Sequence, residues 1–495
     1  MKFLALASLA GTLAAAQIHR VPAAPGGHDL ARRQAATSAT ATATGSATRT
    51  GAASASISQT SVPTGSVPSK PLASLSRIGT ATTSEATQPL PSTFSAGATP
   101  PVSGAPALPT ISTLNPANYP ALDVIPPLDS PEMKQWLSEI DLENIPNYGP
   151  TGLNGCSNAT NAEALAQAGG EGRCWWTCGG CTRATDITYC PTKEDWGASF
   201  DDGPSPYTPR LLNLLEQQNL KSTFFIVGSR AISRPEMVQT EYMLGHQLSV
   251  HTWAHSSLTT LSNEEIVAEL GWTKKIIKDI TGVTPNTFRP PYGDIDDRVR
   301  YIALQMGLRP IIWTQQGDKL FDTEDWQIGG GRVSAVDAYN NFISFVDTAS
   351  QSLPHGFIVL AHDLYQQSVD LAVDYVLPHI LNQGVLNVKT IAQCLGESLE
   401  DSYIETSNQS LADIVQTQST VVGATGTGFA PDVGLIAAST GAVGPSGTAG
   451  QSNPAASGGA QGASQTNSPG SGAQALKVAL AGMLGAVGLA AVVMA

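Results

Sequence analysis

Between residues 195 and 382, short apolar runs alternate with segments whose apolar residues recur every three to four positions. Runs rich in β-branched and aromatic residues predict strands at Trp196–Phe200, Ser222–Val227, Gln247–Val250, Thr287–Phe288, Ile311–Trp313 and Gly356–Leu360. Helical periodicity predicts helices at Arg210–Gln217, Asn263–Thr281, Asp296–Met306, Val336–Ser352 and Asp370–Asn382. Ser262 opens the second of these with Glu265 three residues on, the pattern of a reciprocal N-terminal cap. Strands alternating with helices predict an α/β fold with a parallel sheet, open or closed into a barrel. In either form the reactive groups belong at the C-terminal ends of the strands.

Outside this region the periodicity stops. Residues 17–115 are dominated by Ser, Thr, Ala and Pro with little charge, so they are expected to form a short pro-segment, with Arg32-Arg33 as a processing site, and a disordered, O-glycosylated stalk. A second stretch of this kind, rich in Gly, Ser and Thr, covers residues 406–471. Residues 1–16 have Lys2, an apolar Ala/Leu run and a small-residue end, the form of a signal peptide. At the other end an apolar, nearly uncharged run, Val478–Ala495, follows a spacer of small and polar residues. That order is the signal for a glycosylphosphatidylinositol anchor, with attachment expected at Gly470 or Ser471 and residues 472–495 removed; a single transmembrane helix is the competing reading. These ends predict a secreted protein anchored at the cell surface, on the plasma membrane or in the cell wall. Asn158 and Asn408 open glycosylation sequons that a secreted chain can use.

The net charge of −14 is carried by the middle: residues 121–400 hold 34 Asp and Glu against 18 Lys and Arg. Such a surface argues against nucleic acid and favours a neutral or cationic polymer. All six cysteines, Cys156, Cys174, Cys178, Cys181, Cys190 and Cys394, fall in that middle. Behind a signal peptide they predict three disulfides. The competing zinc knuckle at Cys174, Cys178 and Cys181 has no histidine nearby to complete it.

The strand-end rule selects Asp201 and Asp202, then His251 and His255, then the Arg289–Gly293 bend, then His362 and Asp363. Two imidazoles four residues apart can reach one ion, and Asp202 would complete a three-ligand set with open positions for water and substrate. Adjacent aspartates repel one another unless a cation offsets them, which suggests that one binds the metal and the other stays free as a base.

In order, Ser199-Phe-Asp-Asp-Gly-Pro204, His251-Thr-Trp-Ala-His255, Arg289-Pro-Pro-Tyr-Gly293, Asp322-Thr-Glu-Asp-Trp326 and Leu360-Ala-His362 resemble the five motifs of the polysaccharide deacetylases of carbohydrate esterase family 4. Cys174-Trp-Trp-Thr-Cys-Gly-Gly-Cys181 and the Ser/Thr stalk resemble the fungal chitin deacetylases in particular. The resemblance implies a distorted (β/α) barrel of about seven strands, the NodB-like fold, over residues 191–400, behind a Cys-rich segment at 120–190. It implies one divalent metal ion, zinc or cobalt, on Asp202, His251 and His255, with Asp201 as general base in contact with substrate and His362 as general acid. Arg289 then orients Asp201, Asp325 pairs with His362, Trp326 and Leu360 line the acetyl pocket, and the Tyr292 N–H meets the oxyanion. A Cys190–Cys394 disulfide, a monomeric state and chitin or chitin oligomers as substrate are implied too. Acetylated xylan or peptidoglycan, and glycan binding without catalysis, are the rival functions.

Overall fold

The computed structural model describes residues 66–79 and 86–409. In chain order the elements begin with helices α1 (Pro131–Ser138) and α2 (Ala162–Ala166) and strands β1 (Asp195–Gly197) and β2 (Ser199–Asp201). Next come α3 (Thr208–Gln217), β3 (Thr223–Ile226), α4 (Gly228–Ser233), α5 (Pro235–Met243), β4 (Gln247–Val250), α6 (Asn263–Thr281), β5 (Thr287–Phe288), α7 (Asp297–Gln305) and β6 (Arg309–Pro310). The hairpin β7 (Gln315–Gln316) and β8 (Lys319–Leu320) precedes α8 (Ala335–Gln351), β9 (Phe357–Ile358), α9 (Gln366–Leu371), α10 (Leu377–Gln383), β10 (Asn387–Lys389) and α11 (Ile391–Cys394).

Strands β2-β3-β4-β5-β6 form one parallel sheet in sequence order, and β10-β1-β9 form a second. Only Ala198 separates β1 from β2, so one stretch of chain serves both sheets. Bridges of Asp201 with His362 and of Asp322 with Leu360 continue the ladder, and the Thr314 N–H donates to the Ile358 carbonyl at 3.0 Å. The chain beyond β6 therefore meets the chain at β9, which is consistent with the distorted barrel expected. β3 and β4 are buried along their whole lengths: TFFI of β3 is nearly all apolar, whereas QLSV of β4 alternates and its buried polar residues are hydrogen-bonded. Gln247 Oε1 accepts from the Thr223 hydroxyl and the Ala392 N–H at 2.9 Å each, and the Ser249 hydroxyl lies 2.8 Å from that of Thr287.

Local chemistry explains the helix that backs these strands. The Ser262 hydroxyl and the Glu265 carboxylate cap α6 reciprocally, and Gly282 ends it at φ 88°, a conformation only glycine adopts without strain. Ile266, Val267, Leu270, Ile276, Ile277 and Ile280 form its buried stripe.

Several expectations need correction. The helix expected at Asp370–Asn382 is three pieces, α9, a π-turn at Ala372–Val376 and α10. Pro378 has no N–H to give the Asp374 carbonyl four residues back, so the turn widens. That carbonyl instead accepts the Lys70 N–H at 3.1 Å. The strand expected at Ile311–Trp313 is regular only at Arg309–Pro310 and continues as a bridge from Ile311 to Ile187. Helices α4 and α5, missed from the sequence, are short and separated only by Arg234 ahead of Pro235.

The disorder expected for 17–115 does not hold in its described part, residues 66–79 and 86–115. Val67, Leu75, Val102 and Leu108 are buried in the domain. Asn382 holds both the N–H and the carbonyl of Val67, at 2.8 and 3.0 Å, Lys70 pairs with Asp374 at 2.7 Å, and Gln239 donates to the Pro109 carbonyl at 3.0 Å. The segment has too few apolar residues for a core of its own, but its extended backbone is satisfied by domain side chains and single apolar residues fill gaps there. Residues 1–65 and 410–495, which include the leader, most of the second linker, Gly470, Ser471 and the apolar tail, lie outside the described residues. The cysteines pair as Cys156–Cys178, Cys174–Cys181 and Cys190–Cys394, which leaves no thiol for a zinc knuckle. Asn408 is exposed, whereas Asn158 is half-buried and donates to the Leu153 carbonyl at 2.8 Å.

Candidate active site

The C-terminal ends of β2, β4 and β5 meet the ends of the segments at 322–326 and 360–362, and every motif residue singled out from the sequence lies there. His251 and Asp202 are buried and His255 is half-buried. One ligand atom from each of the three lies within 4.8 Å of the others. Asp202 Oδ1 stands 3.3 Å from His251 Nε2 and 3.0 Å from His255 Nε2. Left-handed backbone at Asp202 (φ 77°), Thr252 (φ 66°) and His255 (φ 57°) turns the side chains toward one point. Three such non-glycine residues in two short loops store strain, which clusters at functional sites.

The hydrogen-bond pattern shows what that point suits. His251 Nδ1 lies 2.7 Å from the Arg289 carbonyl, which can only accept, so Nδ1 carries a proton and Nε2 is the nitrogen left to offer a lone pair to an ion. His255 Nδ1 contacts the Tyr292 hydroxyl at 3.2 Å, which leaves its Nε2 on the same side. Asp202 Oδ1 is buried without a hydrogen bond among the described residues, although two nitrogens stand beside it. A carboxylate oxygen and imidazole lone pairs facing one another are unfavourable unless a cation lies between them, and this donor set fits a divalent ion. Burial opposes ionisation of Asp202, but His255, His251 and Arg230 outweigh it and hold the carboxyl well below the usual range. Burial likewise pushes His255 below its ordinary value despite Asp202, toward the neutral form that binds metal.

Asp201 stands apart from this set. Its Oδ1 accepts from Arg289 Nη1 at 2.6 Å, and its Oδ2 is 3.8 Å from His251 Nε2. Arg289 is fully buried, also donates to Ser199 Oγ at 3.1 Å, and lies with its guanidinium 4.0 Å from the Phe225 ring centroid. That packing fixes the guanidinium and so fixes which Asp201 oxygen is left free.

Across the site, His362 Nδ1 bonds Asp325 Oδ1 at 2.7 Å and its own N–H donates to Asp325 Oδ2 at 2.9 Å. Burial would lower the affinity of His362 for a proton, but Asp325, with Asp202 and Asp201 beyond it, pushes the imidazole up to about 10. The imidazolium is therefore its resting form at neutral pH. Leu360 is buried, while Trp326, next to Asp325 in the chain, and Tyr292, beside His255, are exposed, with Tyr292 at φ 61°.

The structure adds Glu269, which the sequence did not reveal, and supplies the partners of Asp363, which the strand-end rule selects. Glu269 of α6 is buried; its Oε2 accepts the Trp253 and Ala254 amides at 2.7 and 2.9 Å, and its Oε1 accepts the Ser256 hydroxyl at 2.8 Å. It thus clamps the turn that joins His251 to His255. In sequence it is one more glutamate on a capped helix, with no signal to set it apart. Asp363, next to His362, donates its N–H to the Asp201 carbonyl at 3.1 Å and accepts from the Thr208 hydroxyl, tying the ends of two strands together. Burial pushes its carboxyl up to about 7.

The sequence profile of the polysaccharide deacetylases matches residues 188–311. The chain is 55% identical over 367 residues to chitin deacetylase 1 of Cryptococcus neoformans var. grubii, covering 73% of this chain and 75% of the relative. It is 36% identical to a chitin deacetylase of Amylomyces rouxii over 53% of this chain and 62% of that one. Among solved structures it is similar to the chitin deacetylase of the fungal pathogen Colletotrichum lindemuthianum, at 25% identity and a TM-score of 0.40, over 45% of this chain and 97% of that one. Identity at the level of the Cryptococcus relative, carried through three quarters of its length, means that the chain belongs to the polysaccharide deacetylase family and is a deacetylase.

Proposed function

We propose that the enzyme hydrolyses the N-acetyl groups of N-acetylglucosamine units in chitin, giving chitosan and acetate, for modification of the cell wall. The observation that carries the mechanism is the convergence of Asp202 Oδ1 with His251 and His255 Nε2 on one point, with Asp201 beside them and held by Arg289. Chitin as substrate is supported by the relatives from Cryptococcus neoformans and Amylomyces rouxii, both chitin deacetylases.

Asp202, His251 and His255 hold one divalent cation, zinc or cobalt, which when bound activates both the amide carbonyl and a water molecule. Asp201 Oδ2, the oxygen not engaged by Arg289, takes the proton of the attacking water. The Tyr292 backbone N–H is the donor assigned to the developing oxyanion, a contribution on the order of 3 kcal/mol for one such donor. Trp326 and Leu360 enclose the acetyl methyl group. The amine leaves only once it is protonated, and the His362 imidazolium supplies that proton from Nε2 while Asp325 keeps the ring charged and oriented at 2.7 Å. Acetate release from chitin oligomers, set against acetylxylan and peptidoglycan, with chelation and metal add-back, tests this reading. Release from acetylxylan alone would contradict the substrate, and glycan binding with no acetate after metal addition would contradict the reaction.

The proposed cellular setting is secretion as a monomer, with N-glycans at Asn158 and Asn408 and retention by a glycosylphosphatidylinositol anchor at Gly470 or Ser471 after removal of residues 472–495. It is supported by the sequence of the two ends. Release of the protein from intact cells by phosphatidylinositol-specific phospholipase C tests the anchor.

A further inference from the structure

One buried carboxylate beside the site belongs to none of the groups above. Asp294 directly follows the Arg289–Gly293 turn and is buried. Its Oδ1 accepts Trp175 Nε1–H at 2.7 Å and the Thr177 hydroxyl at 2.8 Å. Its Oδ2 accepts the Ser257 hydroxyl at 2.5 Å, the Thr259 amide at 3.0 Å and the Thr259 hydroxyl at 2.6 Å. The first two donors come from the disulfide-braced segment 156–181, and the other three from the loop that continues from His255.

Asp294 thus joins three pieces of chain: the turn that carries Arg289 and Tyr292, the loop that carries His255, and the Cys-rich segment. Contacts around it fasten the same seam. The Trp176 N–H donates to the Ile295 carbonyl at 3.0 Å, the Asp297 N–H donates to the Arg173 carbonyl at 2.8 Å, and Arg300 Nη1 donates to the Cys174 carbonyl at 2.6 Å. Gly293 sits at φ 64°, where a Cβ would lie 2.2 Å from the Trp176 ring, so the indole packs directly against the turn that presents Tyr292. The family profile begins at residue 188, so the segment that makes these contacts lies outside its match.

We propose that Asp294 is a positioning residue for deacetylation, and that the segment 156–181 is a brace it ties to the Arg289–Gly293 turn. This rests on the deacetylase reading of the site. The Tyr292 N–H is useful only if held where negative charge develops, and small misplacements of such a donor are costly. A buried acceptor with five donors from two directions holds the turn in one place. Asp294→Asn keeps the volume but replaces an accepting oxygen with an NH2 group that cannot accept.

The test uses the full, metal-loaded chain as Asp294→Asn, Thr177→Val and the double variant. Thr177→Val removes one hydroxyl on the brace, which donates to Asp294 Oδ1 at 2.8 Å and lies 3.4 Å from the Gly293 carbonyl, without changing any residue of the turn. With kcat referred to folded protein, Asp294→Asn is expected to lose about 30-fold and Thr177→Val about threefold, with KM within about threefold of wild type. The double variant should be no worse than Asp294→Asn, because both substitutions break one linkage. Hydrogen exchange at residues 289–294 and 257–259 should quicken in both single variants while the exchange of β3 and β4 stays unchanged. Unchanged exchange in the turn, or independent multiplication of the two kinetic losses, overturns the proposal. Should wild type release no acetate while exchange quickens as described, the brace stands and the deacetylase reading fails.

Discussion

Asp202 with His251 and His255, and Asp325 with His362, are built from the same two residue types at neighbouring strand ends, yet they are organised for opposite purposes. In the first group three electron-pair donors face one point, and Asp202 Oδ1 is left without a hydrogen bond among the described residues. In the second a single imidazole makes a 2.7 Å bond to a buried carboxylate and keeps its proton. The difference lies in where Nδ1 is anchored. The Arg289 carbonyl holds a proton on His251 Nδ1 and so directs Nε2 to the ion site, whereas the Asp325 carboxylate favours the imidazolium of His362. The partner at Nδ1, a neutral carbonyl or a charged carboxylate, separates a metal ligand from an acid more than the residue type does.

Breaking the first group carries the largest expected effect. His255→Ala or Asp202→Ala should abolish stoichiometric metal binding in titration calorimetry and lower acetate release by about 1,000-fold or more. Next, Asp201→Asn should bind metal like wild type while kcat falls by about 100-fold or more, since only the proton acceptor is lost. Equal metal loss in Asp201→Asn and His255→Ala would erase the division of labour between the paired aspartates.

The second group is sharpened by pH. His362 keeps its proton up to about 10 when folded, against 6.5 for an unperturbed histidine. Its contribution to stability is thus complete below about 6.5 and disappears as the pH rises through about 10. Asp325→Asn removes the main cause, so the alkaline limb of the kcat profile should move toward neutrality and kcat near pH 8 should fall by about tenfold. An alkaline limb that stays in place would mean that another group donates the proton. The smallest effect is expected for Glu269→Gln, which disturbs the turn between the two histidines: metal affinity should weaken by about tenfold, read by chelator competition.

Much of this comparison was legible in the sequence, because the motif residues follow the strand ends closely and strand ends follow from local pattern. β4 falls at Gln247–Val250 and α6 at Asn263–Thr281, as their apolar pattern and the Ser262 cap predict. What escaped depends on long-range partners. Glu269 and Asp294 resemble ordinary polar residues until the amides and hydroxyls they accept are seen. The segment around Lys70 reads as disordered because its hydrogen-bond partner, the Asp374 carbonyl, is created by a distant proline. The pairing of Cys156 with Cys178 and Cys174 with Cys181 could not be settled from spacing, because crowded cysteines allow several connections.

Calorimetric titration of metal-stripped protein with zinc or cobalt, run on wild type, Asp202→Ala and Asp201→Asn and paired with acetate release from chitin oligomers, tests the central assignment most directly. One ion per chain in wild type and Asp201→Asn, none in Asp202→Ala, and acetate from wild type alone is the predicted outcome. Full activity in rigorously metal-free wild type, or undiminished binding in Asp202→Ala, would contradict it.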